Sequence, residues 1–511
     1  MDQTLLLLSV VLTPLAGAAL VALLPSRFSA LAGLAFTGIT CIAALLLSWN
    51  ASMAAPGEWA VQAAFPWSGM AGMDVSFSLG LDGISLYLVA LSGLLFPLVI
   101  AYEWGKEKPQ QKLYYIMLLL LEAGLIGFFV SLDLILFYIF FELVLIPGSF
   151  FIGIWGGAQR EKAATRFFIY TLVGSLLMLV AIIYLGLNTG AEGFTSDYFK
   201  IREAGIAGKW DLHTGAWLFA AFALSFAIKT PIFPFHSWQP LAYSEASTTG
   251  SVLLGALMSK MGVYGFIRFV LPFFPQASVQ HAPFFATLAV IGVIYGAWQA
   301  IQATDMKRLI AFASISHLGF IVLGIFSFNT QALGGAVFQM TAHGISTAAM
   351  FFLVDVLYRR KGSFEISAYS GVAKSMPVFA LLFMVAVMAT VGLPGLSGFI
   401  GEFYILTGSF SSPVFGGAFS IVAAFSLILA AVYLLNMFRK VMFGDADANF
   451  TPKDVARNEW LAVLPLTVLM VWMGLQASPF LKRIRPDAAT VLPVTEVNPA
   501  APTVETPSQP Q

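Results

Sequence analysis

Apolar runs about 20 residues long recur from end to end of the chain, separated by short polar stretches. A helix needs about 20 such residues to cross a bilayer. The pattern predicts fourteen spans, at 3–24, 29–49, 82–102, 113–131, 133–154, 166–187, 215–235, 247–271, 283–302, 309–327, 332–358, 377–406, 415–438 and 459–476. The alternating ten-residue strands of a transmembrane barrel are not seen. The expected fold class is therefore all-α, a polytopic membrane protein with about 14 transmembrane helices. The first run, Leu5 to Leu24, lacks a basic start and is followed by Arg27, which reads as a retained helix rather than a cleaved signal.

Two of these spans are interrupted. Span seven carries Lys-Thr-Pro-Ile-Phe-Pro at 229–234, and span twelve carries Gly-Leu-Pro-Gly-Leu-Ser-Gly at 392–398. They lie five spans apart, which predicts two inverted five-helix repeats, spans 4–8 and 9–13, with broken helices 7 and 12. The expected organisation is a three-helix segment at 1–110, a first repeat at 111–272, a second at 282–440, a last helix at 459–476 and a disordered polar tail at 487–511.

Basic residues set the expected orientation. With the N-terminus outside, 17 of the 26 Lys and Arg residues fall in inner loops and seven outside, among them Arg268; Lys229 and Lys260 lie within spans. The positive-inside rule then places both termini on the outer side of a cell inner (cytoplasmic) membrane.

Composition narrows the chemistry. The 511 residues are 59% hydrophobic and 10% charged, against about 25% charged in soluble proteins. The net charge of zero gives no sign of nucleic-acid binding. The one cysteine, Cys41, cannot build a disulfide, a zinc site or an iron–sulfur cluster. A dinucleotide fingerprint, a P-loop and a metal-ligand cluster are all missing from the sequence. No cofactor, metal or redox centre is expected in this chain.

What remains is a set of ionisable residues inside apolar spans, where each costs about 3 kcal/mol or more to insert. They are Glu122, Glu142, Lys229, Lys260, His317, His343 and Glu402. Carboxylates, lysines and histidines in one bilayer-spanning chain are the chemistry of proton transfer, because each changes a neighbour's proton affinity. The breaks fit this reading, since non-helical backbone at membrane depth survives only inside protein or beside water. Plain alternatives stand beside it: a static glutamate at 122, packed histidines at 317 and 343, a structural ion pair at 229. Asp74, Asp82, Asp133, Arg166, Asp305, Lys307 and Arg308 sit at span ends, where interface anchoring is the default.

Several motifs carry a resemblance. FFELVLIPGSFFIGIWG, AATRFFIYTLVGSLLML, KTPIFPFHSWQPLAYSEASTTGSVLL, DMKRLIAFASISHLGF, QMTAHGISTAAMFFL and GLPGLSGFIGEF resemble the antiporter-like membrane subunits of respiratory complex I, over roughly residues 75 to 440. Glu402 resembles the M branch of that family, the L and N branches having lysine there. Mrp-type cation/proton antiporter subunits and membrane-bound hydrogenases share much of the pattern.

The resemblance implies a proton-translocating membrane-arm subunit of an NADH-quinone oxidoreductase. NAD, FMN, iron–sulfur clusters and quinone would belong to partner subunits. Its neighbours would be other membrane-arm chains, of the L and N types. By motif, Glu142 and Lys229 would be an ion pair, Lys260 the central proton carrier, His317 and His343 a relay, and Glu402 the exit group. One stretch departs from the pattern. Where the family has PDAHxEAPT after the tryptophan, this chain has Leu241, Tyr243 and Ser247 in place of the acid, the histidine and the proline. Glu122, His236 and Glu245 are then candidates for proton uptake or support.

Overall fold

The computed structural model describes residues 2–51, 58–67, 72–190, 193–445, 450 and 452–492. Among them, 12 helices are long and apolar enough to cross a membrane, and two shorter apolar helices, Leu86–Tyr102 and Pro377–Val391, lie between them in sequence. The expected fourteen spans are thus twelve by length and hydropathy.

The most buried helices, Thr248–Phe273 and Thr330–Lys361, are enclosed along their whole apolar windows, and Met306–Phe326 nearly so. Arg160–Thr189 and Ala418–Met442 are peripheral, with Val180, Phe425 and Ile428 turned outward. Small residues allow the inner helices to close up. A methyl on Gly344 would strike Leu91 and the Ala256 carbonyl, and one on Gly262 would strike Thr230.

The breaks have local causes. Leu212–Lys229 stops six residues before the expected 235, because Pro231 and Pro234 bring no N–H to continue it; the chain resumes as Gln239–Glu245. Pro377–Val391 stops at Gly392, whose left-handed backbone suits glycine, and resumes as Ser397–Phe410. A third interruption was not expected. Leu134–Leu143 and Leu145–Gly153 meet at Val144; Pro147, four residues after Leu143, has no N–H to give the Leu143 carbonyl. Thr248–Phe273 is not uniform either: π-helical turns occupy Leu254–Met258 and Phe266–Val270.

Short strands depart from an all-helical reading. Val61–Pro66 pairs antiparallel with Ser76–Leu81, and Met73–Asp74 pairs parallel with Phe194–Thr195. Asp133 fastens this layer. Its carboxylate accepts from the N–H groups of Ile135, Leu136 and Ser76 and from the Ser196 hydroxyl at 2.6 Å, so it is a buried cap rather than an interface anchor. The helix Ser478–Ala489 includes Asp487, expected to begin the tail; the rest of that tail, from 493, lies outside the described residues.

Asp82 and Arg268, read as an interface anchor and an outer-loop cation, are instead a buried pair. Arg268 Nη2 donates to both Asp82 oxygens, at 2.6 and 2.7 Å, and Nε donates to the Tyr264 hydroxyl at 3.2 Å. The guanidinium also lies 4.7 Å from the Trp59 ring centroid. Removing one partner leaves the other charge buried alone, at about 3–5 kcal/mol, whereas a hydrophobic pair of similar volume is tolerated. Asp82→Ala is therefore expected to lower the thermal unfolding temperature in detergent markedly, and Asp82→Leu with Arg268→Met to restore much of it. A double variant no more stable than Asp82→Ala would contradict this.

Candidate functional site

Lys260 follows the first π-helical turn of the fully enclosed helix. Its Nζ donates to the Gly255 carbonyl at 2.7 Å, lies 3.3 Å from Ser259 Oγ, and lies 2.7 Å from His343 Nδ1. His343 stands midway along Thr330–Lys361 and packs its ring 5.4 Å, centroid to centroid, from His317. His317 Nδ1 is 2.8 Å from Glu402 Oε1, to which Gln339 Nε2 donates at 3.3 Å. Each of these groups is buried. Residues from four helices thus form one file: Lys260, His343, His317, Glu402. A proton shared between an amine and an imidazole, or between an imidazole and a carboxylate, can sit on either partner with little rearrangement.

The file contains the groups that an ordinary core would exclude. His317 Nε2 and Glu402 Oε2 have no hydrogen-bond partner. A buried polar atom left unpaired costs about 1–3 kcal/mol, so such atoms mark places that water must serve.

Lys229 and Glu142 stand differently from expectation. Lys229 Nζ ends the broken helix, buried, with no hydrogen-bond partner, 5.2 and 5.4 Å from the Phe141 and Phe167 ring centroids. Glu142 is near enough to act on it electrostatically, yet the two make no direct ion pair. Glu142 lies in the last turn of Leu134–Leu143, beside the interruption at Val144, and is half-buried. The aromatic rings hold the ammonium instead, by cation–π attraction.

The other candidates lie off the file. Glu122 is fully buried with both oxygens unpaired. His236 is buried against the Phe233 and Tyr295 rings, and its Nδ1 is unpaired. Glu245 is half-buried; its carboxylate accepts from the Gln159 N–H at 2.8 Å and its carbonyl from the Gly157 N–H at 2.7 Å, so it holds a loop.

Two features escaped the sequence reading. Gln339 sits one turn from His343 on the same face and donates into Glu402. Asp355 lies three turns further along that helix, buried, bonded to Thr248, Arg359 and, at 2.7 Å, Tyr102. Arg359 also pairs with Glu103, which pairs with Lys108, and Lys307 adds its charge beside Asp355. Asp355 was detectable, being an acid inside the expected span 332–358.

The family model described as NADH:quinone oxidoreductase/Mrp antiporter, TM matches residues 131–428. The chain belongs to this family. It is 40% identical over 490 residues to NADH-quinone oxidoreductase subunit M of Rhodobacter capsulatus, covering 93% of this chain and 94% of that one. A chain of respiratory complex I from Thermus thermophilus with bound NADH superposes with a TM-score of 0.82 at 33% identity, covering 95% of this antiporter-type subunit and 99% of that chain. A chain of the Mrp complex from Dietzia sp. superposes with a TM-score of 0.83 at 21% identity, over 96% and 98%, a likeness of fold alone. Every residue of the file lies inside the matched family region.

The second break positions the end of the file in this subunit. Gly392 has φ of +83°, and a methyl there would lie 2.8 Å from Glu402 Oε2. Gly392→Ala combines backbone strain, costing about 1 kcal/mol or more, with displacement of the carboxylate. The expected outcome is an assembled but less heat-stable protein with reduced proton transport, read by dye acidification in membrane vesicles. Unchanged transport would show that the Glu402 position is not critical.

Proposed function

We propose that this chain is a proton-translocating subunit in the membrane arm of an NADH-quinone oxidoreductase, driven by electron transfer in partner subunits. The observation that carries this is the file from Lys260 through His343 and His317 to Glu402, hydrogen-bonded at its two ends and in ring contact between the histidines. The identity to subunit M and the superposition on complex I support it. NAD, FMN, iron–sulfur clusters and quinone belong to the partners, and L-type and N-type chains are the expected neighbours in the arm. The basic-residue bias supports a cell inner membrane with both termini outside.

The drive is electrostatic. A positive charge on Lys229 repels a proton on Lys260; neutralising Lys229, or drawing it towards Glu142, relieves that repulsion. Two charges about 10 Å apart interact by about 1.7 kcal/mol at an effective dielectric of about 20. That is comparable with the roughly 2.3 kcal/mol needed to move one charge against 100 mV. Relief of the repulsion favours a proton on Lys260, and its return favours release of that proton towards His343 and Glu402.

Lys260→Ala, Lys229→Ala and Glu142→Ala are each expected to abolish or strongly reduce proton pumping and the quinone reduction coupled to it. The check is acidification of inside-out vesicles, normalised to assembled complex. Pumping unaffected by all three would reduce the chain to a scaffold. Copurification with flavin and iron–sulfur proteins tests the partner assignment separately.

A further inference from the structure

The file begins at Lys260, and the described contacts do not join it to Lys229. The segment that follows the first break lies between them. Gln239 and Tyr243 are one turn apart on the helix Gln239–Glu245, and so share a face. Both are fully buried. The Tyr243 hydroxyl donates to the Leu254 carbonyl at 2.9 Å, the first residue of the π-helical turn beneath Lys260. The side chains of Gln239 and Ser259 lie beside that hydroxyl. Ser259 Oγ in turn lies 3.3 Å from Lys260 Nζ.

The other end of this segment is fastened beside Lys229. Trp238 donates its indole N–H to the Ile228 carbonyl at 2.9 Å and packs 5.2 Å from the Phe167 ring, the same ring that faces the Lys229 ammonium. Around it, polar atoms are buried without partners: Lys229 Nζ, Thr230 Oγ1, and both the oxygen and the nitrogen of the Gln239 amide. An amide with neither atom bonded is costly in an apolar interior. At membrane depth only water can satisfy it, since lipid offers no hydrogen bonds.

From this geometry we propose that Gln239 and Tyr243 form the step by which a proton passes between Lys229 and Lys260. The proposal rests on the proton-translocating reading above. Gln239 is a positioning residue: its amide holds water against Lys229 and does not itself exchange the proton. The Tyr243 phenol both accepts and donates. The Lys229 ammonium gives a proton to that water, the water passes one to the phenol oxygen as the phenol releases its own to the Ser259 hydroxyl, and Ser259 passes one to the free-base amine of Lys260; water, phenol and serine end unchanged, and the positive charge has moved from Lys229 to Lys260. The Leu254 carbonyl holds the hydroxyl in place between transfers. The departure from the family pattern at Tyr243 then supplies a hydroxyl inside the conducting path.

The test uses the intact complex in inside-out vesicles, comparing Tyr243→Phe, Tyr243→His, Gln239→Leu and Lys260→Ala at equal amounts of assembled protein. Tyr243→Phe and Gln239→Leu are each expected to slow proton pumping by about ten-fold or more, the lower range of what a positioned proton donor contributes being about 100-fold. Tyr243→His, which also accepts and donates, is expected to pump at close to the unsubstituted rate. A residue that only braces the π-helical turn would give no such rescue. Normal pumping in both Tyr243→Phe and Gln239→Leu, with Lys260→Ala inactive, overturns the relay and leaves the function standing. Normal pumping in Lys260→Ala overturns the function first. Should Tyr243→Phe fail to assemble, Gln239→Leu decides alone, because it leaves the Tyr243–Leu254 hydrogen bond that braces the π-helical turn in place.

Discussion

A lysine enclosed at mid-bilayer, with no carboxylate bonded to it, is the constraint on which the rest of the structure depends. A buried charge is tolerated only with compensation. Lys260 receives it from a carbonyl in a π-helical turn and from an imidazole on the neighbouring helix. Both require the helices to lie very close, and Gly255, Gly262 and Gly344 allow that approach where side chains would collide. The π-helical turn is of the kind that recurs at functional sites, where a helix gives up regularity to aim a group.

The compensation is asymmetric, and that gives it a direction. On one side Lys260 is bonded to His343, which leads by ring contact and a 2.8 Å bond to Glu402. On the other side Lys229 is held by aromatic faces and lacks a hydrogen bond. A file bonded at its two ends, beside a cation that no hydrogen bond fixes, is an arrangement that an external charge can bias. The buried Asp82–Arg268 pair and the Asp355–Arg359–Glu103 network close the two ends with fixed ion pairs, so the movable charges are confined to the middle.

Much of this was legible in the sequence, because the bilayer penalises polar residues so heavily that each one inside an apolar run stands out. Lys260, His317, His343 and Glu402 were picked for that reason, and the structure brings all four together. The prolines at 231 and 234 and the glycines at 392–398 announced the two breaks. The interruption at Val144 was less visible, since Pro147 alone does not say whether a helix kinks or stops. The direct Glu142–Lys229 pair was carried over by motif from the family resemblance, and contact between spans is a tertiary property that a motif does not fix in a given chain. The short strands lie between apolar runs, where hydropathy has nothing to report. Arg268 was assigned to the outside by counting charges, a rule blind to an ion pair with a residue 186 positions away. Gln239, uncharged, raised no flag at all; only its burial without a partner reveals it.

The central claim is that a proton reaches Glu402 by way of Lys260. Infrared difference spectroscopy of the complex during turnover tests it most directly, through the carboxyl stretch of a glutamic acid gaining and losing a proton. A carboxyl band is expected that vanishes in Glu402→Gln and also in Lys260→Ala with Glu402 intact. A band of full amplitude persisting in Lys260→Ala would mean that Glu402 takes its proton by another path, and the file would not be the conductor.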